Sequence, residues 1–161
     1  MAKLDLKIAG VNFKNPVIAA SGTFGFGHEY SEFYPLYKLG GISCKGITLH
    51  KRDGNPPPRI AETEGGMLNS VGLQNPGVDY FIENDLPWLK KQGTVIIANV
   101  AGSTADDYCK TAEKLNATAV DMVELNISCP NVKRGGAQFG TTCEGVESVT
   151  TAVRKRCCKP Q

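Results

Sequence analysis

Four short apolar runs alternate with helical stretches along the chain. They are residues 16–20, 41–45, 94–100 and 119–126. Their side chains are mostly Val, Ile and Ala in near-continuous runs, whereas a strand with one face in water alternates strictly between apolar and polar residues. We therefore expect parallel strands that are covered on both faces. Because helical stretches separate the runs, the pattern predicts right-handed strand–helix–strand units in an α/β fold.

The stretch between the third and fourth runs carries the clearest helical pattern. Ser103 precedes this stretch and Asp106 follows three residues later, which predicts a capping box at the start of the helix. Further helices are predicted near residues 30–37, 78–91 and 144–157, with Pro87 kinking or dividing the second of them. The apolar residues at the spacing of one helix face are Ala105, Tyr108, Cys109, Ala112 and Leu115.

Two segments outside this pattern are expected to have structures of their own. Residues 4–8 and 11–13 flank Ala9-Gly10, which predicts an N-terminal β-hairpin able to close the bottom of a barrel. Residues 51–77 contain many Pro, Gly and Asn residues and are predicted to form one long irregular stretch. Loops of that length inside a compact α/β domain are usually functional.

The four predicted units amount to half of a (β/α)₈ TIM barrel, whose complete form takes about 250 residues. The chain has 161 residues. We therefore expect a single domain over residues 1–161 that forms roughly the first four units of such a barrel. A smaller open α/β sheet is the alternative, and it would leave its outer strands as unprotected edges.

Charge and composition narrow the range of partners. The formal net charge is +2. This is too small for a protein whose binding is driven by electrostatic attraction to a polyanion such as nucleic acid. The charged N-terminus and the lack of any apolar run of roughly 18 residues predict a cytoplasmic protein that does not bind a membrane. The six cysteines include no Cys-x-x-Cys pair. We therefore expect free thiols and no metal site.

Unusual polar side chains stand at the ends of the predicted strands. Ser21 follows the first run, Lys45 ends the second and Asn99 lies within the third. Asn126 and Cys129 close the fourth. Because the carboxyl ends of parallel strands share one edge of a sheet, these five side chains should converge. Each of them could instead simply cap a loop.

Cys129 is the candidate for proton-transfer or covalent chemistry. A thiol can act as nucleophile or general base when its surroundings tune it. The alternative for any cysteine is a small buried apolar side chain, and we expect that role for Cys44, Cys109 and Cys143. The two glycines at 135–136 predict a loop able to close over a ligand.

Residues 69–73 are a candidate anion site inside the long irregular stretch. They offer an amide side chain and several backbone N–H groups around a glycine. Successive N–H groups of this kind can cradle a carboxylate, and Lys45 at the same edge would add a positive charge. An ordinary structural turn is the alternative.

Six segments, in order along the chain, resemble one enzyme family, the class 1, B-type dihydroorotate dehydrogenase catalytic subunits. The segments are 20–25 (ASGTFG), 44–48 (CKGIT), 54–59 (GNPPPR), 67–77 (MLNSVGLQNPG), 97–102 (IANVAG) and 124–133 (ELNISCPNVK). The Ser-Cys-Pro-Asn sequence in the last segment matches the family's catalytic segment. The resemblance extends to about residue 154 and corresponds to the N-terminal half of a family member.

The resemblance implies a flavin-bearing (β/α)₈ barrel that oxidises dihydroorotate to orotate in pyrimidine biosynthesis. It implies that Cys129 removes a proton from C5 of the substrate while a hydride leaves C6 for FMN. The cofactor-binding residues would be Ser21, Lys45, Gly46, Asn99 and Asn126. The substrate-binding residues would be Lys45, Asn69, Ser70, Val71, Gly72, Leu73 and Asn126.

The resemblance also implies partners. A full-length B-type enzyme is expected to form a homodimer and to pass electrons to NAD through a partner subunit with FAD and a 2Fe-2S cluster. No cysteine spacing in this chain would hold such a cluster, so the partner would supply it. Two alternatives stay open. One is a related flavin-dependent reductase of dihydropyrimidines or of dihydrouridine, and the other is an inactive half-barrel fragment.

Overall fold

A four-stranded parallel sheet forms the centre of the computed structural model, which describes residues 3–129 and 135–161. The strands are β1 (Leu6–Ile8), β2 (Val11–Phe13), β3 (Ile18–Ala19), β4 (Gly41–Ser43), β5 (Ile60–Thr63), β6 (Gly66–Asn69), β7 (Val95–Val100) and β8 (Met122–Leu125). The parallel sheet has the order β3-β4-β7-β8. The four apolar runs are therefore confirmed as neighbouring parallel strands of an α/β fold.

The helices lie between the parallel strands along the chain. They are α1 (His28–Ser31), a 3₁₀ turn (Leu36–Lys38), α2 (Val78–Tyr80), a π-helical turn (Phe81–Asp85), α3 (Leu86–Lys91), α4 (Ala105–Asn116), α5 (Ala137–Gly140) and α6 (Cys143–Arg154). The helices predicted near 78–91 and 144–157 are confirmed. The single helix predicted over 30–37 is wrong, because α1 ends at Ser31 and Pro35 has extended backbone angles. A residue that precedes proline is disfavoured in the helical region, which accounts for the interruption.

The predicted start of α4 is displaced by one residue. Thr104, not Ser103, is the N-cap, and its hydroxyl accepts a hydrogen bond from the backbone N–H of Asp107 at 3.2 Å. The Asp107 carboxylate accepts in return from the backbone N–H of Thr104 at 3.0 Å. The capping box is therefore real, but its members are the next residues along. Ser103 and Thr104 are adjacent, as are Asp106 and Asp107. The three-residue spacing of a capping box therefore fits either pair, and the sequence alone does not distinguish them.

Pro87 lies inside the helical run of residues 78–91 without ending it. The π-helical turn of five residues precedes α3, and Pro87 stands at the beginning of α3. Proline cannot donate the usual hydrogen bond to the carbonyl four residues earlier, and its ring crowds that carbonyl. A wider turn at this point accommodates the ring and keeps the chain helical.

The two faces of the parallel sheet pack against different elements. On one face, Ile96 and Val100 of β7 are fully buried in a cluster with Tyr108 of α4. On the opposite face, called the inner face below, Ile97 packs with Phe13 of β2. Successive side chains of a strand point to opposite faces, so neighbouring isoleucines separate into the two clusters. The predicted N-terminal hairpin is confirmed as β1–β2, and it covers the inner face near the start of β4 and β7.

The long stretch of residues 51–77 is not irregular throughout. Strands β5 and β6 form an antiparallel hairpin in which Ile60 pairs with Asn69 and Thr63 with Gly66. All eight residues of the two strands are exposed. A hairpin with no buried face has no alternation of apolar and polar residues, so the sequence pattern that identifies half-buried strands did not reveal it.

The sheet does not close into a barrel within the described residues. Its outer strands are β3 and β8. After α6 the chain returns to β8, where the backbone N–H of Val123 donates to the carbonyl of Pro160 at 2.8 Å. None of the described helices combines the length and the apolar character that crossing a bilayer requires.

Candidate active site

The carboxyl ends of the parallel strands and the segment after β6 enclose a cavity of about 380 Å³. The predicted site residues that line it are Ser21, Lys45, Gly46, Asn69, Val71, Gly72, Leu73, Asn126 and Cys129. Gly22 and Ser128 complete the lining. Asn99 lies directly behind the lining, where it contacts Ser21 and Asn126. The structure therefore brings together the polar residues that the strand ends were predicted to gather.

A hydrogen-bonded network behind this cavity is centred on Glu124 of β8. The Ser21 hydroxyl donates to Oε1 of Glu124 at 3.2 Å, and the Ser43 hydroxyl donates to Oε2 at 3.0 Å. The side-chain amide of Asn99 donates both to Glu124 and, at 3.2 Å, to the Ser21 hydroxyl. The amide of Asn126 donates to Oδ1 of Asn99 at 3.1 Å. The carboxylate of Glu124 thus connects β8 with each of the other three parallel strands or their ends.

Sequence reasoning missed Glu124 and Ser43, although a signal for both was present. Each stands two residues before a predicted site residue, Glu124 before Asn126 and Ser43 before Lys45. Residues two apart on a strand point to the same face. Polar side chains inside two otherwise apolar runs could therefore have been assigned to the inner face, next to the predicted site.

One acceptor in the site lacks a partner. Oδ1 of Asn126 is buried and makes no hydrogen bond to the residues that the structure describes. Leaving a buried acceptor unsatisfied costs about 1–3 kcal/mol. The atom is therefore suited to accept a hydrogen bond from a ligand N–H.

Gly46 allows the chain to approach the site closely. A Cβ at this position would lie 2.8 Å from Cδ1 of Leu73 and 3.1 Å from Oδ1 of Asn99. The first of these distances is shorter than real Cβ contacts, so the end of the Leu73 side chain would have to move away. The absence of a side chain brings the strand end, the 69–73 segment and the Asn99 amide together around one small space.

The 69–73 segment is supported from behind by Asn55. The side-chain amide of Asn55 donates to the carbonyl and to the hydroxyl of Ser70, each at 3.0 Å, and its backbone N–H donates to the carbonyl of Val71 at 3.1 Å. Gly72 has a φ of +75° and passes so close to Asn55 that a Cβ would lie 2.7 Å from it. Ser70 therefore belongs to the support of the segment and does not line the cavity, unlike its predicted neighbours.

The six thiols have different environments, and the environment sets Cys129 apart. Cys129 is half-buried and lines the cavity. Burial raises the pKa of Cys44 to about 12, and burial also raises the pKa of Cys109. These two fit the predicted role of small buried side chains. The same prediction is wrong for Cys143, which is exposed as the first residue of α6 because that end of the helix faces away from the core.

Tyr108 joins the end of β8 to the glycines at 135–136. Its hydroxyl donates to the backbone carbonyl of Asn126 at 2.7 Å and accepts from the backbone N–H of Gly136 at 3.3 Å. Burial raises the pKa of the Tyr108 hydroxyl. The predicted closing loop falls partly on residues 130–134, which lie outside the described residues.

The chain matches one family over almost its whole length. Residues 3–160 match the family model described as dihydroorotate dehydrogenase. A relative from Petrotoga mobilis, named dihydroorotate dehydrogenase B (NAD(+)), catalytic subunit, is 61% identical over 99% of this chain and 53% of its own length. A relative of the same name from Alkaliphilus metalliredigens is 59% identical over 96% of this chain and 52% of its own length. The chain thus spans about half the length of the curated relatives that it matches.

A solved structure supports the fold independently. The crystal structure of DHODH from Eimeria tenella in complex with ferulenol superposes with a TM-score of 0.75, covering 96% of this chain and 44% of that one. At 22% identity this likeness supports the fold alone, a TIM-barrel-like arrangement of which this chain forms part. The family model and the close relatives carry the assignment further, and on them the chain belongs to the dihydroorotate dehydrogenase family.

Proposed function

We propose that the protein oxidises dihydroorotate to orotate in pyrimidine biosynthesis, and that this chain supplies the N-terminal half of the flavin-binding barrel as one domain over 1–161. The observation that carries the proposal is the gathering of Cys129, Lys45 and Asn69 around one cavity. A thiol, a cation and an amide at the same rim are what proton removal from a heterocyclic acid needs. Had Cys129 been at the opposite end of the sheet from Lys45, the assignment would have failed.

The substrate carboxylate is assigned to the segment that Asn55 supports. Lys45 supplies a positive charge at the cavity, and the backbone of Val71, Gly72 and Leu73 supplies the adjoining wall. Backbone N–H groups in a turn with a left-handed residue suit an anion, and Gly72 provides that conformation. Asn69, Ser70 and Asn126 complete the proposed substrate set, with Ser70 contributing through the shape of the segment.

Cys129 is the proposed general base. Its Sγ would take the proton from C5 of dihydroorotate, the carbon next to the position from which hydride departs. General-base catalysis contributes about 10²–10⁴-fold to a rate. Cys129 is better placed for it than Cys44, because Cys129 lines the cavity while Cys44 is fully buried.

The residues behind and beside the cavity fit FMN. The cavity offers the hydroxyl of Ser21, the positive charge of Lys45 and, directly behind them, the amide of Asn99 to a polar ring system. We assign Ser21, Lys45, Gly46, Asn99 and Asn126 to holding the cofactor. When bound, FMN supplies the acceptor for the hydride that leaves C6.

The proposal extends to partners. The relatives are named as catalytic subunits that use NAD(+), which supports an electron-transfer partner subunit. We assign FAD and a 2Fe-2S cluster to that partner, and we propose a homodimer of the full-length catalytic chain. A cytoplasmic location, where NAD(+) is available, completes the proposal.

The test uses the full-length protein that contains this chain, with orotate formation as the assay. We expect Cys129→Ala to lower turnover by at least about 100-fold, because the general base is lost. The flavin absorbance and the affinity for orotate should stay near those of the wild type.

Cys143→Ala is the matched control, since it removes an exposed thiol that does not line this cavity. It should leave turnover unchanged. Near-normal turnover of Cys129→Ala would remove Cys129 from its role. Turnover of dihydrouracil in preference to dihydroorotate would favour the related reductases instead.

A further inference from the structure

Glu124 is the one carboxylate in the network behind the cavity, and its chemistry restricts the groups that surround it. An ionised carboxylate has acceptor atoms only. Ser21, Ser43 and Asn99 all donate to it. The side chain lies on the inner face of β8, two residues before Asn126 and in register with Asn99 of β7.

This restriction passes along the chain of hydrogen bonds to Asn126. The Asn99 amide must turn its nitrogen toward Glu124, because its oxygen would face an acceptor there. Oδ1 of Asn99 then faces Asn126 and accepts from Nδ2 of that residue at 3.1 Å. The nitrogen of Asn126 is therefore engaged, and its oxygen is the atom without a partner among the described residues.

An asparagine amide has no such preference by itself. Its oxygen and nitrogen have almost the same size, and only the hydrogen-bond network decides which end faces which neighbour. Without an acceptor-only group at the far end, Asn99 and Asn126 could both rotate by half a turn and keep a hydrogen bond between them. The carboxylate removes that second arrangement.

We propose that Glu124 is a positioning residue that fixes the amides of Asn99 and Asn126, so that Asn126 offers an oxygen and not a nitrogen to the ligand. The inference rests on the proposed function, and it specifies the ligand chemistry at this point. The partner of Asn126 is a ring N–H, as in the ureide ring of dihydroorotate. A ring nitrogen without hydrogen would meet an acceptor and be disfavoured.

The Glu124→Gln variant of the full-length flavoprotein is the main test. Glutamine keeps the shape of the side chain but adds a donor, so both orientations of Asn99 become possible. We expect the Kd for orotate, measured by flavin absorbance, and the KM for dihydroorotate to rise by up to about 10-fold, the upper range for the loss of one hydrogen bond between neutral groups. The kcat should change less, because Cys129 is untouched.

Two matched variants separate positioning from simple support of the fold. Glu124→Asp keeps an acceptor-only group and should restore orotate affinity to within about 3-fold of the wild type. Ser43→Ala removes a different hydrogen bond to the same carboxylate without touching either amide. It should lower stability while leaving the Kd for orotate unchanged. A purely structural role for Glu124 would make all three variants alike.

Hydrogen exchange at the Asn99 amide provides a readout that needs no turnover. In full-length protein labelled with ¹⁵N-asparagine, the side-chain amide hydrogens of Asn99 should exchange slowly with solvent, and in Glu124→Gln they should exchange faster. Exchange in the wild type as fast as that of exposed asparagines would overturn the proposal, as would a Glu124→Gln variant with the wild-type Kd. Failure of the wild type to form orotate, with slow Asn99 exchange preserved, would instead contradict only the proposed function.

Discussion

Tyr108 offers the sharpest test of how the site is held, because its hydroxyl forms hydrogen bonds with two backbone groups, one buried and one partly buried. It donates to the carbonyl of Asn126 at 2.7 Å and accepts from the N–H of Gly136 at 3.3 Å. The ring is fully buried and meets Phe139 edge-on, with centroids 5.8 Å apart at 89°. Tyr108→Phe deletes only the hydroxyl and keeps the ring and its packing.

The expected loss of stability in Tyr108→Phe follows from the two backbone groups that are left without their hydrogen bonds. A buried polar group without its partner costs about 1–3 kcal/mol. In Tyr108→Phe the Asn126 carbonyl and the Gly136 N–H each lose their hydrogen bond to the hydroxyl. A small shift of the backbone can recover part of that free energy. We therefore expect the free energy of unfolding to fall by about 2 kcal/mol, which is about 30-fold in the folding equilibrium.

Urea denaturation followed by circular dichroism measures this difference directly. Tyr80→Phe is the control, because Tyr80 is 52% exposed and should change stability by less than about 0.5 kcal/mol. If Tyr108→Phe unfolds with the same free energy as that control, the two hydrogen bonds do not hold the end of β8 as described.

Two further predictions concern buried titratable groups. The pKa of Cys44 is raised from 9.0 to about 12, so its thiolate fraction near pH 8 is about 1,000-fold below normal. In native protein treated with iodoacetamide, mass spectrometry should therefore detect alkylation of Cys143 long before that of Cys44. Equal rates of alkylation would contradict the burial described. Burial raises the pKa of Asp85 above its ordinary value of 3.8, against the opposing effect of its partner His28. The folded state therefore holds this proton more tightly than the unfolded state, and the protein loses stability as pH rises from about 4 through the raised pKa. Asp85→Asn should remove that loss. Urea denaturation at pH 4 and pH 7 should then show that the free energy of unfolding of the variant, relative to the wild type, is higher at pH 7 than at pH 4. A difference between the two proteins that is the same at both pH values would refute the assignment.

The parallel strands were predictable because burial on both faces leaves a signal in the sequence itself. Ile96 and Ile97 are adjacent, apolar and buried in two different clusters. A continuous apolar run encodes that arrangement, and it does not depend on which other segments pack on each side. The position of Lys45 and Asn126 at the same edge follows from the parallel direction of the strands.

The exposed hairpin shows where the same reasoning stops. Strands β5 and β6 pair with each other but bury no face. Hydrophobic periodicity reports burial, so a hairpin stabilised by its own backbone hydrogen bonds leaves no such record. The exposure of Cys143 was predicted wrongly for a related reason. A single residue carries no periodicity from which its exposure could be judged.

The sequence by itself determined the α/β pattern, the family, and the set of polar side chains that end the strands. Only the tertiary structure decided which of those side chains touch. The bond from Ser21 to Glu124 joins residues 103 positions apart. The amide of Asn126, just after β8, is linked to the Glu124 carboxylate through Asn99 of β7. Local propensity and periodicity act over a few residues, whereas hydrogen bonds between strands depend on register and on the packing of the whole sheet. The types of polar side chain in the site were therefore present in the sequence. Which hydrogen-bond donors and acceptors face the cavity was decided by the fold.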